Sequence, residues 1–86
     1  MRATTEQRAR VAAGFARLIE LAPRWLAEYR TCGRQERARW DAFRFIQRLD
    51  GFHNLSRDLY RAGLNDSHID TILRSTIAAL TATKHR

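Results

Sequence analysis

Proline, cysteine and lysine each occur once in these 86 residues, and glycine four times. With Cys32 alone, an internal disulfide is impossible, and so is a secreted scaffold held together by bridges. No 18 uncharged apolar residues run together, so no membrane-spanning helix is expected. The opening stretch MRATTEQRARVAAGFARLIELAP is basic at its start, but Arg17 and Glu20 interrupt the apolar core that a secretory signal needs. The expected location is therefore cytoplasmic. Period-two runs of β-branched residues are missing, which removes the usual signal for strands. Linkers, low-complexity tracts and repeats are missing as well. The chain reads as one domain over 1–86, with residues 1–4 and 82–86 expected to fray.

The spacings that carry chemistry are also lacking. Cys32, His53, His68 and His85 are the soft metal ligands, and none falls in a CxxC, HxxxH or HExxH pattern. No metal and no cofactor is expected. Cys32 lies near Arg30 and Arg34, a setting that favours a thiolate, although a small buried side chain fits the position as well. No glycine-rich phosphate loop or nucleophile elbow occurs. The chain is not expected to be an enzyme or to take a small-molecule substrate.

Apolar residues make up 44% of the chain, including two tryptophans, which is enough for a core. A chain this short buries only roughly 60% of the surface it exposes when unfolded, so homodimerisation is a natural way to add buried area. Glycine and proline divide the apolar pattern into four to five helices, and the expected fold is an all-α bundle. Thr4 or Thr5 caps a first helix with Val11, Phe15, Leu18, Ile19 and Ala22 on one face. Pro23 is expected to end it and to start a second helix carrying Trp25, Leu26 and Tyr29, stopped by Gly33. A third helix is expected from Arg34 to Asp50, burying Ala38, Ala42, Ile46 and Leu49, with Gly51 as a left-handed cap. Asn54 is expected to cap a fourth helix closed by Gly63. Asp66 or Ser67, with Asp70, is expected to cap a fifth whose stripe is Ile69, Ile72, Leu73, Thr76, Ile77 and Leu80.

Ala62, Gly63, Leu64, Ile69 and Ile72 are placed as in a helix-turn-helix, and the C-terminal hairpin resembles that motif. The resemblance implies a second helix that reads the major groove with Asn65, Ser67 and Thr71. Leu59 departs from the motif where a small residue is usual, and Asp58 departs where an apolar one is. Asp66 and Asp70 also oppose phosphate at the entry to such a helix.

Fifteen arginines and one lysine against nine acids leave a net charge of +7, which favours anionic partners. From Arg30 to Arg48 there are six arginines and two acids, whereas Asp50 to Asp70 carries four acids and two arginines. On one continuous third helix, Arg34, Arg37, Arg44 and Arg48 share a face, with Asp41 expected to pair with Arg37 and Trp40 at the edge. These residues, with Arg74, form the expected binding surface. Arg2, Arg8, Arg10, Lys84 and Arg86 lend support. The expected function is a DNA-binding or transcription-regulatory accessory factor that contacts nucleic acid mainly through phosphates. The rival expectation is an inhibitor, antiactivator or adaptor acting on an acidic protein.

Overall fold

The computed structural model describes residues 4–83, with side chains through residue 82, and these residues form five helices and no strand. The first, α1 (Thr5–Thr31), opens with a reciprocal cap. The Thr4 hydroxyl accepts from the Gln7 amide at 3.0 Å, and the Gln7 side chain accepts from the Thr4 amide at 3.0 Å. The remaining residues expected to fray at the N-terminus lie outside the described residues, and α5 continues to Thr83.

Pro23 does not end α1. It lies inside a single helix of 27 residues. A proline in a helix interior costs about 3 kcal/mol, because it removes a hydrogen bond and crowds the preceding turn. Burial on both sides offsets that cost here. Leu18 and Ala22 precede Pro23, Trp25 and Leu26 follow it, and all four are buried while Pro23 itself is exposed. A continuous helix also selects a different face. Leu18, Ala22 and Trp25 follow an i, i+4, i+7 spacing, which turns Ile19 outward to 60% exposure.

The expected third helix is two short ones, α2 (Arg34–Arg39) and α3 (Ala42–Gln47). Trp40 and Asp41 between them are extended, and the Asp41 carboxylate accepts from the Arg44 amide at 2.8 Å as the cap of α3. Asp41 therefore does not pair with Arg37. The buried arc is cut as well. Ile46 is buried, Ala42 and Leu49 are half-buried, and Ala38 is exposed on α2, which buries none of its residues. Tyr29 ties this segment to α1. Its hydroxyl donates to the Trp40 carbonyl at 2.9 Å, and its ring lies 5.3 Å from that of Phe45.

Next comes α4 (Asp50–Arg61), which begins four residues before Asn54, with Leu49 at its cap position. Gly51 is helical and not left-handed; among the described residues only Gly63 has a positive φ, at 105°. The Gly63 amide donates to the Tyr60 carbonyl at 3.0 Å and the Leu64 amide to the Leu59 carbonyl at 3.1 Å, the paired bonds of a Schellman close. The last helix, α5 (Asp66–Thr83), is capped by Asn65, whose side-chain oxygen accepts from the His68 amide at 3.0 Å. Neither Asp66 nor Ser67 fills that place, and Asp70 points elsewhere: it accepts from the Gln47 side chain at 3.1 Å.

Helices α3, α4 and α5 all pack on α1, and α3 also meets α4 and α5. The core joins Leu18, Ala22 and Trp25 of α1 to Ile46, Phe52, Leu55, Leu59, Ile69 and Leu73. The Phe52 ring meets Trp25 edge-on at 5.9 Å. Leu59 sits against Gly14, where an added Cβ would collide with its side chain. The large residue in α4 thus fits because α1 has none at that contact.

Candidate functional site

The break at Trp40 and Asp41 decides how the arginines are displayed. Arg34 and Arg37 belong to α2, Arg44 to α3, and Arg48 caps the C-terminal end of α3; all are exposed. The expected single-face stripe is therefore carried by two separate segments. On α3, Arg44 and Arg48 keep their i, i+4 relation, which puts their Cβ atoms roughly 5–6 Å apart.

Two guanidinium groups rest on aromatic rings. The Arg48 guanidinium carbon is 4.3 Å from the Trp40 ring centroid, and that of Arg74 is 3.9 Å from the Phe43 ring centroid. Both distances are within cation–π range. Neither side chain makes a hydrogen bond or an ion pair among the described residues, so the N–H edges remain free for oxygen. The contact with Phe43 brings Arg74 from α5 to the residue next to Arg44. Arg44 and Arg48 are thus carried by α3, and Arg74 lies against it. A guanidinium braced on a ring loses less freedom when it forms a two-pronged contact with a phosphate or carboxylate.

Trp40 plays a different part from an open stacking platform. It is half-buried, Arg48 covers one face of its ring, and its Nε1 is buried without a hydrogen-bond partner. A nucleotide base could not stack on the face that Arg48 occupies. The ring serves the arginine.

Phe43 was not singled out from the sequence as part of this surface. The signal was present as a matched pair of spacings. Phe43 and Gln47, one turn apart on α3, meet Arg74 and Asp70, one turn apart on α5, running in opposite directions. Asp70 is thereby committed to the α3–α5 seam.

The residues expected to read bases are largely occupied within their own helix. Asn65 uses its side-chain oxygen as the α5 cap. The Thr71 hydroxyl donates to the Ser67 carbonyl at 2.8 Å, while the Ser67 side chain is exposed. No hydrogen bond or ring contact joins these three to the α3 arginines.

A second basic region lies between α1 and α4, where Arg10, Arg17 and Arg61 line a groove of about 490 Å³ with Asp58. Two of these arginines already have acids: Arg10 pairs with Glu6 at 2.7 Å and Arg17 with Glu20 at 3.5 Å. That region is less suited to an anion than the α3 surface. Arg8 is exposed on α1, whereas Arg2, Lys84 and Arg86 lie outside the described residues.

The Cys32 thiol donates to the Tyr29 carbonyl at 2.8 Å and is half-buried at the end of α1. His53 and His68 are exposed, and His85 lies outside the described residues. Among the described residues no group of three His, Cys, Asp or Glu side chains is placed to hold a metal ion, and no helix is long and apolar enough to cross a membrane. No family model, curated protein or solved structure matches the chain.

Proposed function

We propose that this chain is a non-enzymatic, nucleic-acid-associated accessory factor that grips phosphates through Arg44, Arg48 and Arg74, with Arg34 and Arg37 at the flank. The observation that carries the reading is the pair of braced guanidinium groups, Arg48 on Trp40 and Arg74 on Phe43, beside an exposed Arg44 and without an acid partner. Contacts of this kind position a protein on a polynucleotide without selecting sequence. The C-terminal hairpin, with its left-handed Gly63 and inward Ile69, supplies a helix-turn-helix-like frame that holds Arg74 against α3.

Anisotropy of a labelled duplex, followed from about 50 to 200 mM salt, tests this reading. Affinity is expected to fall steeply with salt. The R44A/R48A/R74A variant, checked for helicity by circular dichroism, is expected to flatten the log–log slope by about three, one for each lost phosphate contact. Absence of binding at the low-salt end would remove the proposal.

A second reading, a helical module for an acidic protein, draws on what the α5 first turn lacks for reading DNA. The exposed Asp66 opposes phosphate there, and Asn65 and Thr71 are engaged internally. Weak, salt-insensitive duplex binding would favour this reading, together with stoichiometric capture of one acidic protein after nuclease treatment.

A further inference from the structure

Between α4 and α5 lies a groove of about 490 Å³. Phe52, Ser56 and Tyr60 line its α4 side, and Asp66, Ile69 and Asp70 its α5 side. Its polar character is unbalanced. Asp66 is in no ion pair among the described residues, and Asp70 gives one oxygen to Gln47, leaving the other free. Ser56 is only 7% exposed, and its buried hydroxyl has no hydrogen-bond partner. Tyr60 is 45% exposed on the rim, one of the two large apolar side chains most open to solvent among the described residues. Arg57 adds positive charge on the α4 rim beside His53, so the surplus of acceptors is on the α5 side. An acceptor-rich pocket with an aromatic wall is suited to a planar, multi-donor cation, and a guanidinium meets that description.

The same chain displays such a group on an element that packs only weakly against the rest of the fold. α2 has six residues, three of them arginines, and buries none. An isolated helix of that length is unstable in water, because nucleation is unfavourable and there are few bonds to repay it. Arg34 and Arg37 are one turn apart on one side of α2. Arg39, two residues beyond Arg37, projects from roughly the opposite side. Arg39 is exposed, has no ion pair among the described residues, and takes no part in the phosphate surface proposed above.

We propose that the α4–α5 groove receives α2 of a second copy of this chain, with the Arg39 guanidinium entering between Asp66, Asp70 and the Tyr60 ring. Each copy carries both the donor helix and the acceptor groove, so a two-fold dimer closes with both contacts made. The exposed area leaves room for a covered face. The chain exposes 6482 Å², whereas a compact chain of this mass exposes roughly 5,200 Å². A stable interface removes roughly 600–1,000 Å² per partner, comparable to that excess.

Sedimentation equilibrium of the full chain, with R39E, D66R and R39E/D66R, tests the proposal. The wild type is expected to be dimeric at tens of micromolar. Each single reversal is expected to weaken association by roughly tenfold or more, since it buries like charges against each other. The double variant, in which the pair is restored with the signs exchanged, is expected to recover most of the loss. A merely structural role for Asp66 would show as lost helicity in D66R and no recovery in the double variant. A wild type that stays monomeric, or a dimer indifferent to both reversals, overturns the proposal. Duplex binding by Arg44, Arg48 and Arg74 is read separately, so either idea can fail without the other.

Discussion

At the scale of single residues, polar groups in awkward places say the most. Ser56 holds a buried hydroxyl without a partner, and leaving such a group unsatisfied costs about 1–3 kcal/mol. Alanine removes the hydroxyl and suits a helix better. We therefore expect Ser56→Ala to stabilise the chain by about 1 kcal/mol in urea denaturation at low micromolar protein, where association is least. A loss of stability instead would mean that the hydroxyl has a protein partner in solution. Trp40 teaches a related lesson. From the sequence it reads as an aromatic at the edge of the arginine stripe, and in the fold its ring lies under Arg48 while its carbonyl accepts from Tyr29. Its value to an anion-binding surface comes through the arginine it braces.

At the scale of elements, two of the departures from expectation have opposite causes. α1 runs through a residue that should break it, because burial on both sides of Pro23 outweighs the missing hydrogen bond. Pro23→Ala is accordingly expected to raise stability by about 1–3 kcal/mol, reduced somewhat by the freer unfolded chain. Thermal unfolding with unchanged helicity in the native baseline would show it, and a lower melting temperature would mean that the proline sets a bend the core requires. The segment after Gly33 breaks where propensity alone would continue it. Here Asp41 offers a side-chain cap, and Tyr29 fixes the Trp40 carbonyl, so an extended pair of residues is satisfied without helical bonds. That break separates Arg34 and Arg37 from Arg44 and Arg48. Two short displays replace one long stripe.

At the scale of the whole molecule, α1 is the organising axis. Its 27 residues span roughly 40 Å at 1.5 Å per residue, close to the longest dimension of the 45 × 28 × 18 Å molecule. The radius of gyration is 14.0 Å, against about 12 Å for a compact chain of this length. An elongated body this small has one core and little stability in reserve, roughly 4–13 kcal/mol by its length. Leu18 has no exposed surface and sits where α1 meets the other packed helices. Leu18→Ala is expected to remove about 2–5 kcal/mol, with circular dichroism and tryptophan fluorescence losing signal in a single coincident transition. Separate transitions for the two probes would show that the α3–α5 half folds apart from α1.

What the sequence by itself determined is local and periodic. Helical class, a threonine cap at position 4 or 5, the Gly63 turn and the stripe from Ile69 to Leu73 follow from neighbours within about one turn, and the helical backbone enforces those relations wherever the element packs. Positive charge centred on Arg44 and Arg48 was legible for the same reason. Only the tertiary structure decided that α1 survives Pro23, that Ile19 faces outward, and that Asp41 caps a new helix in place of pairing with Arg37. It alone brought Arg74 onto Phe43 and Asp70 onto Gln47 across more than twenty residues. Such outcomes depend on burial summed over distant segments, a quantity that no local window of residues contains.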